Sequence, residues 1–205
     1  MSPGPGSLFE KAAPAAFRLL LTGVRHAVAG LLGLVILYLS LLATSAPMSV
    51  SDRAVIDNAI AILDSKGFDS EAFLLRHTAT FRSRDNWINI SFPTENSFAA
   101  TNFPFGIITI YPDFYTQADD TTRAMILLHE AQHMKGGSEA DAYAYVWRNR
   151  QQLGWTQLSH GTTDTYVTVE LETRELAPEL FTCESKLWND CTNDVTQAAS
   201  RRVHQ

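Results

Sequence analysis

The sequence predicts an α+β domain preceded by one membrane-spanning helix, and three observations carry that prediction. An uncharged apolar run lies near the N-terminus, short runs rich in aromatic and β-branched residues follow, and the second half of the chain is dominated by apolar residues recurring at three and four. The 205 residues suffice for one domain of ordinary size beyond the apolar run. Sixteen Lys plus Arg against 22 Asp plus Glu give a net charge of −6. That is the wrong sign for a protein that neutralises phosphates over a broad surface, so no nucleic-acid partner is expected. With 11 Gly, 8 Pro and 2 Cys, a collagen-like repeat and a dense disulfide scaffold are excluded.

Residues 1–16 contain Pro3, Gly4, Pro5, Gly6 and Pro14 and read as disordered, part of a cytoplasmic lead over 1–26. Ala27 to Ala46 reads AVAGLLGLVILYLSLLATSA. At a helical rise of about 1.5 Å per residue this run covers about 30 Å, the thickness of a bilayer's hydrocarbon core. Lys11, Arg18 and Arg25 all precede it, and the positive-inside bias then puts residues 47–205 outside the cytoplasm, in a periplasmic or extracellular space. The alternative is secretion after signal cleavage, with Leu31 to Ala43 as the apolar centre and Ala43 to Ala46 as the cleavage site. The long lead and Pro47 directly after Ala46 favour a signal anchor. The charged residues before residue 47 are Lys11, Arg18, Arg25 and Glu10, so the remainder carries −8 and is expected to attach through the helix, not through a basic patch.

From Ser51 or Asp52, which can cap, a helix with Val55, Ile56, Ala59, Ile60 and Leu63 on one face is expected to end at Gly67. A short helix around Ser70 to Arg76 follows. Thr78 to Arg82 and Trp87 to Phe92 read as a hairpin around Ser83-Arg84-Asp85-Asn86. A loop with Pro93, Asn96, Asn102 and Pro104 leads to a buried strand, Gly106 to Tyr111, stopped by Pro112. Asp119 or Asp120 caps a helix with Ala124, Met125, Leu127, Leu128 and Ala131 inward and Gly136-Gly137 at its end. Ser138 caps another, with Asp141 in a capping-box place, running to about Leu153. Thr163 to Leu176 mixes strand and helix signals and is read as helix. The polar C-terminal dozen residues are expected to fray.

His129-Glu130-Ala131-Gln132-His133 stands inside the helix that opens at Asp119 or Asp120. Positions i and i+4 lie one turn apart on one face, so both imidazoles can reach one Zn²⁺ at about 2.0–2.1 Å. Glu130 is rotated away from both, where it can take a proton from water without being a ligand. This donor pattern fits metal-assisted hydrolysis.

Over about residues 119–150 the chain resembles the zincin metallopeptidases, the superfamily defined by HExxH, and among them the gluzincin-like members whose third ligand is a downstream Glu. The resemblance implies a zincin-like domain over 47–205, a small β-sheet packed on the active-site helix, Zn²⁺ held by His129, His133 and Glu139, and hydrolysis of a peptide or protein substrate with Glu130 as the catalytic base. It also implies that a strand such as Gly106 to Tyr111 lies beside that helix and aligns an extended substrate. Glu139 in GGSEADAYAYVW follows the Glu-x-x-Ala-Asp or Glu-x-x-Ala-Asn pattern as far as Ala142. Tyr143 departs from it, and a carboxylate or amide there would orient a ligand His. Asp141 is the rival third ligand, although a capping box already employs it. The alternative function is a catalytically inactive metal-binding or scaffold domain of the same fold, and a further one is a metal-free helical domain.

His160, Tyr115 and Tyr166 are candidate donors to an oxyanion, each more simply a surface or packing residue. His77 and His204 have no ligand spacing. Tyr143, Tyr145, Trp147 and Trp155 are expected in the core. In an exported domain Cys183 and Cys191 are expected to pair, closing a short loop.

Overall fold

The structure is a computed structural model that describes residues 6–91, 97–183 and 186–187. It divides into two compact units, Met1–Thr44 and Ser45–Gln205. The first contains helix α1 (Gly6–Thr44). Within it Leu19–Thr44 is long and apolar enough to cross a membrane, by length and composition, and Leu31, Leu34, Ile36 and Leu39 are exposed. The lead expected to be disordered is therefore helical from Gly6. Helix formers such as Leu8, Glu10, Lys11, Ala12 and Ala13 outweigh the single interior Pro14. The helix also stops at Thr44, two residues short of the expected end, because Ala46 belongs to a strand.

The second unit is α+β, as expected. Strand β1 (Ala46–Pro47) is followed by α2 (Val50–Ser65), α3 (Asp69–His77) and β2 (Thr80–Arg84). Ser49 caps α2 by accepting from the Asp52 amide, two residues before the expected start, and Ile56, Ala59, Ile60 and Leu63 are its buried face. A 3₁₀ turn (Asn89–Ser91) precedes β3 (Ala99–Asn102) and β4 (Ile107–Ile110). Then come α4 (Pro112–Thr116), α5 (Asp120–Met134), α6 (Glu139–Leu153), α7 (Gln157–His160) and α8 (Asp164–Leu176). The ambiguous Thr163 to Leu176 segment is helical, with the Thr163 hydroxyl accepting from the Tyr166 amide at its start. A second 3₁₀ turn (Pro178–Leu180) leads to the short pair β5 (Thr182–Cys183) and β6 (Lys186–Leu187). Phe92, Pro93, Asn96, Cys191, His204 and the C-terminal dozen lie outside the described residues, and with them the expected Cys183–Cys191 pairing.

The sheet order is β1-β2-β4-β3. β1 runs antiparallel to β2, β2 parallel to β4, and β4 antiparallel to β3. This corrects the expected hairpin between Thr78 to Arg82 and Trp87 to Phe92. The Asn86 carboxamide oxygen accepts from the amides of Ile88 (3.0 Å) and Asn89 (3.2 Å), and this local capture curls Trp87 to Ser91 into a turn before it can extend. The hairpin that does form joins β3 to β4, so part of the segment read as a loop is a strand. Gly106, at φ +62°, closes that connection.

Strand alternation decides what faces the helices. Phe81, Ile108 and Ile110 share one face and pack with α2 and α5 in the core. Thr101, paired with Ile108, lies on that same face. On the opposite face Asn102, Asn86, Asn89 and Thr109 form a hydrogen-bonded chain. Asn86 donates to Asn102 (2.7 Å), Asn102 to Asn89 (2.7 Å) and Asn89 to Thr109 (3.3 Å).

α5 is the hub, in contact with α2, α3, α6 and β3. Asp119 caps it by accepting from the Thr122 amide (2.8 Å), and Leu127, Leu128 and Ala131 are wholly buried. Each such leucine contributes about 1.5–3 kcal/mol relative to exposure, so the helix has little freedom to move. Its C-terminal end is tied by Lys135, which pairs with the buried Glu71 at 2.5 Å, while Tyr145 donates to the same carboxylate at 2.9 Å.

Candidate metal centre

The last two turns of α5 carry His129 and His133, and α6 begins with Glu139. The reversal between them depends on two glycines. Gly136 adopts φ +83°, a conformation that disfavours side chains, and its amide bonds the His133 carbonyl (2.9 Å). At Gly137 a Cβ would stand 3.0 Å from the Gln132 carbonyl oxygen, to which the Gly137 amide donates. The Gly137 carbonyl in turn meets His133 Nδ1 at 3.0 Å. One tight turn thus returns α6 onto α5 and fixes the His133 ring, leaving Nε2 for the site.

The three expected ligands converge. His129 Nε2 lies 3.0 Å from His133 Nε2, 3.2 Å from Glu139 Oε2, and His133 Nε2 lies 3.3 Å from Glu139 Oε1. Bonds of about 2.0–2.2 Å in a tetrahedral shell imply donor separations of about 3.3–3.6 Å, which the His133–Glu139 pair already meets and the other two approach within a few tenths of an ångström. His129, His133 and Glu139 form a group that could hold a metal ion. Asp141 does not join them. Its carboxylate accepts from the Ser138 amide (2.9 Å) and hydroxyl (2.7 Å) in the capping box, exposed to solvent.

Glu130 is 5% exposed and accepts a hydrogen bond from Thr101 Oγ1 at 2.7 Å. Tyr143 packs edge-on against the His129 ring with centroids 4.7 Å apart. Burial and the nearby Glu139 carboxylate push the Tyr143 phenol up to about 12, so it stays protonated and a hydrogen-bond donor at physiological pH.

These groups line a cleft of about 830 Å³ between β3, α5 and the start of α8. Among the described residues its lining carries four carboxylates, Asp113, Glu130, Glu139 and Asp164, and no Lys or Arg, so it stays net negative even with His133 protonated. Such a field attracts cations.

In the metal-free protein burial alone would lower the His133 pKa. The hydrogen bond with Glu139, the charge of Glu130 and the Gly137 carbonyl overcome it and raise the value to about 9. Glu139 is held well below the ordinary carboxylate range by its hydrogen bonds to His129 and His133. A His pKa raised above the ordinary 6.5 contributes stability that is fully present below that pH and is lost as pH rises through about 9. A metal ion competes with the proton for the same lone pair, so its affinity grows over that interval. Chelator-treated protein is accordingly expected to melt at lower temperature as pH rises toward 9, while the increment in melting temperature from added zinc grows. An increment independent of pH would remove His133 from the ligand set.

The other candidates lie elsewhere. His160 is buried between Asp119 (3.0 Å) and Ser159 (2.7 Å), a pin on the start of α5. The Tyr115 hydroxyl contacts Met48 Sδ, and Tyr166 packs between Trp147 and Trp155 in the core. His77 stacks on Phe73. Trp147 and Trp155 are buried as expected, while Tyr143 and Tyr145 are partly buried. β4 is flanked by β2 and β3, so Gly106 to Tyr111 has no free edge for a substrate. β3, which contacts α5, is the terminal strand of the sheet among the described residues. Thr101 and the Gly137 carbonyl went unpredicted. A Thr in a polar loop and a backbone oxygen carry no motif, and only the β3–β4 pairing could have pointed to the first.

No family model, curated protein or solved structure matches the chain. The resemblance to zincins therefore rests on the site residues and their spacing.

Proposed function

We propose that the chain is a membrane-anchored zinc metallopeptidase of zincin-like fold, with residues 47–205 outside the cytoplasm. The observation that carries this reading is the convergence of His129, His133 and Glu139 beside a buried carboxylate, Glu130, on the same helix. Lys11 and Arg18 precede the apolar segment Leu19–Thr44 and Arg25 lies near that same end of it, which supports the orientation.

Two neutral imidazoles and one carboxylate suit Zn²⁺ and leave a bound dication with net positive charge. Zinc bound there supplies Lewis acidity and brings the pKa of a water toward neutrality. The chain's own residues do the rest. Glu130 holds the proton released by the attacking water and delivers it to the nitrogen of the departing amine. β3, the terminal strand of the sheet among the described residues, is the edge along which an extended peptide would pair. The Tyr143 phenol is a donor within the cleft. An acid held at 2.7 Å on the cleft favours turnover over a scaffold role, because a purely structural metal needs no poised base.

The test is hydrolysis of casein, an unstructured protein, by full-length protein in detergent. Zinc-loaded protein is expected to cleave it, chelation to stop cleavage and added zinc to restore it. Zinc binding without cleavage of casein or of a peptide library would leave the scaffold reading instead.

A further inference from the structure

Resting on that hydrolytic reading, we propose that Thr101 is a positioning residue that locks the Glu130 carboxylate in the orientation needed for proton transfer. Among the described residues the Thr101 hydroxyl is the hydrogen-bond donor to that carboxylate, and it engages Oε2 at 2.7 Å, leaving Oε1 without a partner. The carboxylate therefore has one occupied and one available oxygen. When Oε1 receives a proton, Thr101 still donates to Oε2, so the group need not rotate between its two protonation states. A glutamate free to change rotamer would spend part of its time misdirected, and a fixed one acts as a preorganised base.

The placement of Thr101 is itself fixed. Side chains alternate along β3, so a slip of one residue would present Ala100 or Asn102 to α5 in place of Thr101. The register is held from the other face of the strand, where Asn102 is clamped by Asn86 and Asn89 at 2.7 Å each. Asn86 is wholly buried. The pairing of Thr101 with Ile108 fixes it along the strand. A strand clamped on one face thus delivers a single hydroxyl to the acid on the other.

The experiment compares wild type, Thr101→Val, Thr101→Ser and Glu130→Gln as zinc-loaded full-length proteins, with two readouts. The first is kcat and KM on quenched fluorescent casein. Thr101→Val, nearly isosteric but without a donor, is expected to lose about 10–100-fold in kcat with KM changed less than about twofold, and Thr101→Ser to recover most of the loss. The second needs no turnover. Acetohydroxamate binds a metal as its anion and passes a proton to a neighbouring base, so its affinity is expected to fall about tenfold in Thr101→Val, to be restored in Thr101→Ser and to fall further in Glu130→Gln. Zinc content of Thr101→Val is expected to match wild type, and its melting temperature to fall modestly because a buried carboxylate loses its donor. Wild-type acetohydroxamate affinity in Thr101→Val, or equal impairment of the Val and Ser variants, overturns the role of Thr101. Absence of cleavage by wild type, with acetohydroxamate affinity indifferent to Glu130→Gln, overturns instead the hydrolytic reading.

Discussion

Glu130→Gln is expected to lower hydrolysis by about 10²–10⁴-fold while zinc remains bound, the range general acid–base groups contribute. The substitution keeps shape and size at a site only 5% exposed, and the amide oxygen can still accept from Thr101. No ligand is removed, because His129, His133 and Glu139 are untouched. What is lost is the ability to take a proton. The matched measurements are metal content by mass spectrometry and initial rates on casein. A rate equal to wild type would exclude Glu130 as the base.

The second large effect separates two acids that lie two residues apart at the start of α6. Glu139→Gln removes the anionic donor that meets both imidazoles. Loss of a residue that merely supports a ligand typically costs 10–100-fold in metal affinity, so loss of this one is expected to cost at least about 100-fold. Asp141→Asn is expected to leave zinc affinity unchanged and to lower the melting temperature only slightly, since it weakens only the exposed cap made with Ser138. Competition titrations against a zinc-binding dye distinguish the two. The reverse ranking would make Asp141 the third ligand and contradict the geometry of the turn.

The helices were legible because their signals are local. Asp119, Ser138 and Thr163 each accept from a backbone amide at the start of the next helix, and apolar residues recur along α2 and α5 with helical spacing. The metal-binding candidates were legible for the same reason, since an i, i+4 pair followed by a double-glycine turn and a carboxylate is a short-range pattern. The sheet was harder. Ala99–Asn102 has no apolar alternation and becomes a strand only through pairing with β4, a long-range condition. Trp87 to Ser91 has strand-like composition but yields to the side chain of Asn86. Pro112, expected only to stop a strand, instead opens α4, where its missing amide hydrogen is not needed. Thr101 was invisible on the same ground as β3, because its importance lies in which face it occupies.

The pocket around Glu130 shows how the two kinds of information combine. The acid and both imidazoles come from one helix, so sequence spacing alone places them. The hydroxyl that restrains the acid comes from a strand 29 residues earlier, and the carboxylate that completes the trio from the next helix. A variant that loosens the Gly136-Gly137 turn would thus disturb ligand convergence without touching a ligand.

The central claim is that His129, His133 and Glu139 bind one divalent ion together. X-ray absorption on zinc-loaded protein tests it most directly. The account predicts one zinc per chain with two imidazole nitrogens and oxygen donors at about 2.0–2.2 Å, and loss of one imidazole from the shell in His133→Ala. Zinc failing to bind stoichiometrically, or a shell unchanged when His133 is removed, would contradict it.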